Sequence, residues 1–173
     1  MRSLGNYEGV LRAIVISLKY YRNLGLAEIL LPDILQTFEN WEIDKDLFLP
    51  VPLSKKRKRE RGYNQVSLWG KLIARILAIP YSSTALIRRH ETASQVSLSA
   101  DQRWKNVRNA FKADTQQVKE KNIILLDDVT TTGATISECA RALMTAGARK
   151  VAVFTLTRSS IQNHNEKIGG IHV

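Results

Sequence analysis

The chain has 173 residues, 44% hydrophobic and 24% charged, with a net charge of +10. That length fits one domain, and that composition excludes disordered and collagen-like chains. No apolar stretch reaches the ~18 residues of a membrane span, and the first residues lack the apolar core of a secretory signal, so a cytoplasmic protein is expected.

The only cysteine is Cys139, so no internal disulfide can form, and His90, His164 and His172 are scattered. A zinc site is therefore not expected. The charge is concentrated in the middle of the chain. Residues 1–50 carry a net −2, residues 51–121 a net +11, and residues 122–173 a net +1. Within the middle segment, Lys55, Lys56, Arg57, Lys58, Arg59 and Arg61 place six cations in seven positions. A field of that size suits an anionic partner, with a solvated surface as the plainer alternative.

In chain order, residues 7–20 read as a helix from Val10, Leu11, Ile14, Val15 and Leu18 at helical spacing. A second helix follows over 26–38, broken or restarted at Pro32. Residues 47–52 form a short extended run, in which Pro50 and Pro52 argue against a central strand. Gly62 interrupts the chain. Asn64 then caps a helix with the stripe Val66, Trp69, Leu72, Ile73 and Ile76, which stops before Pro80. Residues 83–87 suit a short strand.

Residues 88–98 lack periodicity and read as a loop. Ser99 and Gln102 have capping-box spacing, which starts a helix to about residue 110. Trp69 and Trp104 both fall on apolar stripes and are expected in the core. Residues 123–126 are a continuous apolar run that ends in Asp127 and Asp128, as a buried parallel strand would. A helix with Ile136, Ala140, Leu143 and Met144 inward runs to Gly147, with Cys139 expected buried and inert. Residues 151–156 give the next buried strand. This strand–loop–helix–strand unit requires a sheet that is at least partly parallel. Residues 1–158 form one domain, and residues 159–173 a loosely held tail.

The chemistry lies in Leu125-Leu126-Asp127-Asp128-Val129-Thr130-Thr131-Thr132-Gly133-Ala134-Thr135. A buried strand delivers two carboxylates to its C-terminal edge, where ligands of open α/β sheets bind. Adjacent carboxylates stay ionised only beside donors or cations, a need that ribose hydroxyls or magnesium would meet. The small hydroxyl loop around Gly133 then enters a helix, and backbone N–H groups there bind phosphate. The pattern describes a pocket for a ribose 5-phosphate.

This run resembles the signature of type I phosphoribosyltransferases, which bind phosphoribosyl pyrophosphate (PRPP). Val51-Pro52-Leu53, the basic run, Arg61-Gly62-Tyr63-Asn64-Gln65, Gln95-Val96-Ser97-Leu98, Arg103, Asn106-Val107-Arg108, Phe111 and Leu18-Lys19-Tyr20 narrow the resemblance to the ComF type of bacterial competence systems. The resemblance implies an α/β fold with a mostly parallel central sheet flanked by helices and a flexible hood. It implies that Asp127 and Asp128 hold the ribose, with magnesium bound near them through PRPP. Thr131, Thr132, Gly133, Ala134 and Thr135 would hold the 5-phosphate, and Leu53, Ser54, Lys55 and Lys56 the pyrophosphate. Arg88, Arg89 and Arg103 are hood and acceptor candidates. The zinc module that usually opens ComF-type chains has no counterpart here, so zinc is not carried over.

The basic cluster Lys55, Lys56, Arg57, Lys58, Arg59 and Arg61, with Tyr63 as its stacking residue, is the candidate surface for single-stranded DNA. Three functions remain open at this point. The first is a magnesium-dependent PRPP transferase of ComF type acting with the competence machinery in DNA uptake. The second is a nucleobase or amine salvage transferase. The third is a PRPP-sensing nucleic-acid-binding module without turnover. No catalytic base, acceptor or oligomeric state is legible.

Overall fold

The computed structural model describes residues 1–21, 25–90 and 100–159, and of Ala100, Asp101 and Arg103 the backbone alone. Its elements are β1 (Arg2–Asn6), α1 (Gly9–Tyr20), α2 (Gly25–Ile29), α3 (Leu31–Glu39), β2 (Leu47–Pro50), α4 (Lys55–Arg61), α5 (Gln65–Ile76), β3 (Leu86–Arg88), α6 (Ala100–Val107), β4 (Phe111–Ala113), α7 (Thr115–Val118), β5 (Asn122–Thr130), α8 (Ala134–Thr145) and β6 (Lys150–Arg158).

The central sheet runs β1-β6-β5-β2, and each of its pairings is parallel. β5 lies between β6 and β2. Its residues Ile123, Ile124, Leu125 and Leu126 are at most 1% exposed, each burial being worth about 1.5–3 kcal/mol. Because strand side chains alternate, Ile124 and Leu126 join Phe48, Phe154 and the helices α1, α3 and α5 on one face. Ile123 and Leu125 join Leu47, Leu49 and α8 on the other. The sheet is thus covered on both sides, as parallel sheets require.

β2 is an edge strand of this sheet, in keeping with its prolines. Its outer side is partly closed, because Phe48 N–H donates to Pro80 O at 2.8 Å and Ser82 N–H to Phe48 O at 3.0 Å. Pro32 falls in the first turn of α3, the position a helix tolerates, so the second predicted helix is two helices. Asn64 caps α5 as expected, its side chain accepting from Val66 N–H at 3.0 Å. β3 and β4 form a separate antiparallel pair.

Several expectations are corrected. β5 does not end at the acid pair but continues to Thr130. The basic run is a helix, α4, because Ser54 caps its start and Gly62 at φ 73° terminates it. Trp104 is 46% exposed. Among the described side chains of α6, only Val107 is buried. Met144 is 49% exposed, because it lies one position past the stripe of Ile136, Cys139 and Leu143. β1 and β4 were not legible as strands. Of the loop expected over 88–98, Arg88 ends β3, while residues 91–99, with Gln95-Val96-Ser97-Leu98, lie outside the described residues, as do residues 160–173 of the tail. No helix among the described residues is long and apolar enough to cross a membrane.

Candidate ribose-phosphate site

The candidate site lies along the end of β5, past its last pairing with β2. The pleat that sorts the core above also separates the two carboxylates. Asp128 turns toward α1 and α5 and is 5% exposed. Lys19 Nζ of α1 lies 3.3 Å from Asp128 Oδ2, and Gln65 Nε2 of α5 donates to the same oxygen at 2.5 Å. The Asp128 carbonyl accepts from the Thr157 hydroxyl at 3.3 Å. A cation and an amide thus answer the charge that burial would otherwise penalise.

Asp127 is half-buried on the opposite face of the strand. Its Oδ1 accepts from the Asp128 N–H at 2.9 Å. Burial, and then the neighbouring Asp128 charge, push its carboxyl well up, against weaker opposing pulls from that N–H, Lys19 and Arg57. The pair therefore divides into one carboxylate secured by protein donors and one whose ionisation awaits a partner. Thr155, in register with Asp127, has a buried hydroxyl with no hydrogen-bond partner among the described residues.

Three residues beyond β5, Gly133 takes φ 75° as the N-cap of α8, with no side-chain cap. A Cβ built on Gly133 would meet nothing within 4 Å. The space over the helix entrance is open, and first-turn N–H groups point toward it. Ala134 N–H makes a long 3.5 Å contact to Thr132 Oγ1. Thr131 is exposed, Thr132 and Thr135 are half-buried, and Ala134 is buried. Residues 131–135 thus form a turn of small residues at the start of α8.

The candidate pyrophosphate residues follow β2. Val51 N–H still pairs with Leu126 O at 2.8 Å, so the two strand ends stay side by side. Of the pyrophosphate candidates, Leu53 and Ser54 lie in the connection, while Lys55 and Lys56 open α4. Ser54 Oγ accepts from Arg57 N–H at 3.2 Å. Every cation of α4 is exposed except the half-buried Arg61, and Arg57 is near enough for its charge to act on Asp127.

Tyr63 is half-buried, and its hydroxyl donates to Leu18 O at 2.7 Å. That bond ties the α4–α5 turn to α1, next to Lys19. Arg88 is half-buried over the Phe111 ring at 5.4 Å, and Arg89 is exposed. The Arg103 side chain lies outside the described residues. The turn between α6 and β4 is clamped to α8: Glu138 accepts from Asn109 N–H at 2.7 Å and from Arg141 Nη2 at 2.6 Å. Arg141, more than burial opposes it, holds the Glu138 carboxyl low. Cys139 is fully buried, and its thiol is pushed well up by desolvation, which makes it inert.

Lys19, Gln65 and Glu138 carry structural or electrostatic roles that sequence reasoning did not assign. The first two stood inside the motifs Leu18-Lys19-Tyr20 and Arg61-Gly62-Tyr63-Asn64-Gln65, so the signal was present without the partner. Among the described residues no three His, Cys, Asp or Glu side chains converge as a metal cage. The donor set instead fits magnesium held by one or two carboxylates plus substrate phosphates and water, with Asp127 the available carboxylate.

Residues 67–168 match the family described as the phosphoribosyl transferase domain. The chain is 32% identical over 162 residues to the DNA utilization protein YhgH of Escherichia coli, covering 91% of this chain and 71% of that protein. It is 31% identical over 160 residues to competence protein ComFC of Bacillus subtilis, covering 91% of this chain and 64% of that one. Competence protein F of Haemophilus influenzae is 34% identical over 116 residues, 66% of this chain and 51% of that protein. Among solved structures, adenine phosphoribosyltransferase from Thermoanaerobacter pseudethanolicus superposes with a TM-score of 0.53 at 13% identity, over 80% of this chain and 72% of that one. That likeness shows a shared fold.

Proposed function

The chain belongs to the phosphoribosyltransferase family and to its ComF type, and from that premise we propose that it binds PRPP with magnesium at the C-terminal end of β5. The observation that carries this reading is the pairing of Asp127 and Asp128 with an α8 entrance at Gly133, where the left-handed turn leaves the Cβ direction unobstructed. In this reading Asp127 and Asp128 accept from the ribose hydroxyls, and the N–H groups and hydroxyls of residues 131–135 receive the 5-phosphate. Lys19 and Gln65 keep Asp128 ionised and oriented. Pyrophosphate faces residues 53–56 and the nearby cations, where charge-assisted bonds are strongest. Magnesium held by Asp127 and the substrate would neutralise the leaving pyrophosphate.

The exposed cations of α4 make a second contact surface, which we assign to single-stranded DNA. The names of the relatives, competence protein and DNA utilization protein, support this assignment, and so does the concentration of charge at 51–121. The proposed setting is DNA uptake or use in the cytoplasm, with phosphoribosyl transfer to an acceptor as the reaction. The test is a PRPP titration with and without magnesium, followed by a pyrophosphate-release assay over a panel of amines, nucleobases and oligonucleotides. Saturable, magnesium-dependent binding is expected. No binding with magnesium present would overturn the reading, and release only with nucleobases would make it a salvage enzyme.

A further inference from the structure

Away from the carboxylates, one exposed aromatic ring stands where stacking and charge meet. Tyr20 ends α1 and is 68% exposed. The Arg61 guanidinium lies 5.4 Å from its ring centroid. Arg61 is the last residue of α4, and its Nη1 donates to Gln65 Oε1 at 3.0 Å, which fixes the guanidinium in place. Arg57 and Lys58, four and three residues earlier, share that face of the helix. Tyr21, next along the chain, is 76% exposed.

We propose that Tyr20, backed by Arg61 and flanked by the cations of α4, is a base-stacking platform for single-stranded nucleic acid. This rests on the reading of α4 as a nucleic-acid surface, and it names the residue that grips the bases. A single strand presents unstacked π-faces beside phosphates, and the combination that receives it is an aromatic ring within a cationic track. An anionic membrane fits less well: α4 has no apolar residue in its sequence, so it has no face to bury among acyl chains. An acidic peptide would use the cations and leave the ring idle. Tyr63, the ring expected from sequence to stack, is instead half-buried with its hydroxyl bound to Leu18 O.

The geometry gives the two kinds of contact separable signatures. Phosphate contacts set the dependence on salt, whereas stacking is a salt-independent increment. A labelled oligothymidylate is therefore titrated with the full chain across a salt series, beside a duplex and phosphatidylserine vesicles, with melting curves for each variant. Tyr20→Ala should bind the oligonucleotide about fivefold or more weakly at every salt concentration. The slope, the duplex affinity and the melting temperature should stay unchanged. Tyr20→Phe should restore binding, because the ring and not the hydroxyl does the work.

Wild-type affinity in Tyr20→Ala, or failure of Tyr20→Phe to restore it, would overturn the inference while leaving the α4 reading intact. A wild-type chain that binds no oligonucleotide at about 50 mM salt would overturn both. Vesicle binding that needs Tyr20, with oligonucleotide binding indifferent to it, would reassign the platform to a lipid surface.

Discussion

Two strand-to-helix crossings leave neighbouring strands of the same sheet, and as proposed anion sites they are built in opposite ways. β5 passes to α8 through small residues, with Gly133 in the left-handed region and no side-chain cap. β2 passes to α4 through Ser54, whose hydroxyl occupies the Arg57 N–H, and the receiving charge is carried on exposed side chains instead. In the proposed reading the first crossing offers main-chain direction and room at Gly133, and the second offers exposed side-chain charges. The difference teaches that topology supplies only the location. Whether a site is brittle or tolerant depends on which part of the residue meets the ligand.

The comparison breaks first at Gly133. Valine there must adopt φ near 75°, a conformation costing roughly 1–2 kcal/mol, and its branches would fill the space over the α8 entrance. PRPP binding should fall below detection in calorimetric titration, with the circular dichroism spectrum retained. Near-normal binding would show that the crossing is not a volume-limited receptor. Next in size is Asp127→Asn with Asp128→Asn. Two charged acceptors worth roughly 1.5–3 kcal/mol each are removed, so PRPP affinity should drop at least about tenfold in the same titration.

A third test moves to the other crossing. Replacing Lys55, Lys56, Lys58 and Arg59 by Gln should flatten the salt dependence of single-strand binding. With ~3–5 contacted phosphates, wild-type affinity should fall on the order of tenfold or more between about 50 and 200 mM salt. The same change should weaken PRPP less than the Asp127 and Asp128 changes do, since single cations there share their task. A steep slope surviving the change would move the DNA surface elsewhere.

The smallest effect is a titration. Burial, followed by Asp128, raises the Asp127 carboxyl to about 7, so part of it holds a proton near neutrality in the free protein. Ribose hydroxyls and a cation favour the ionised form. Binding should therefore release a proton, and affinity should rise a few-fold as pH goes from about 6 to 8. Calorimetry in buffers of different ionisation enthalpy reads that proton. Asp127→Asn should remove the component, leaving only the ionisation of the phosphates themselves.

What was legible in the sequence was what depends on neighbours in the chain. The apolar run at 123–126, the Gly133 loop, the Asn64 cap and the restart at Pro32 are local statements, and each has its counterpart in the fold. β1 escaped because Arg2–Asn6 has no strand pattern of its own; it is a strand through pairing with residues 154–158. α4 escaped because six cations in seven positions read as a surface before they read as a helix. The partners of Asp128 escaped for a similar reason. Lys19 and Gln65 lie far from it in sequence, and only the stacking of α1 and α5 on one sheet face brings both to a single oxygen. The hydrogen bond from Tyr63 to Leu18 O was likewise not legible, because it joins residues 45 positions apart.

The pairing of β1 with β6 sets the order in which this protein can be made. Arg2 faces Phe154 in that register, so β1 is synthesised well before the strand it pairs with. At 5–20 residues per second, the roughly 150 intervening residues take about 8–30 s to synthesise. Throughout that interval β1 has no partner in the sheet. Closing so long a loop is an entropic cost that falls late in folding and slows it. The β2–β5–β6 portion, which carries Asp127 and Asp128, needs none of the first strand's hydrogen bonds.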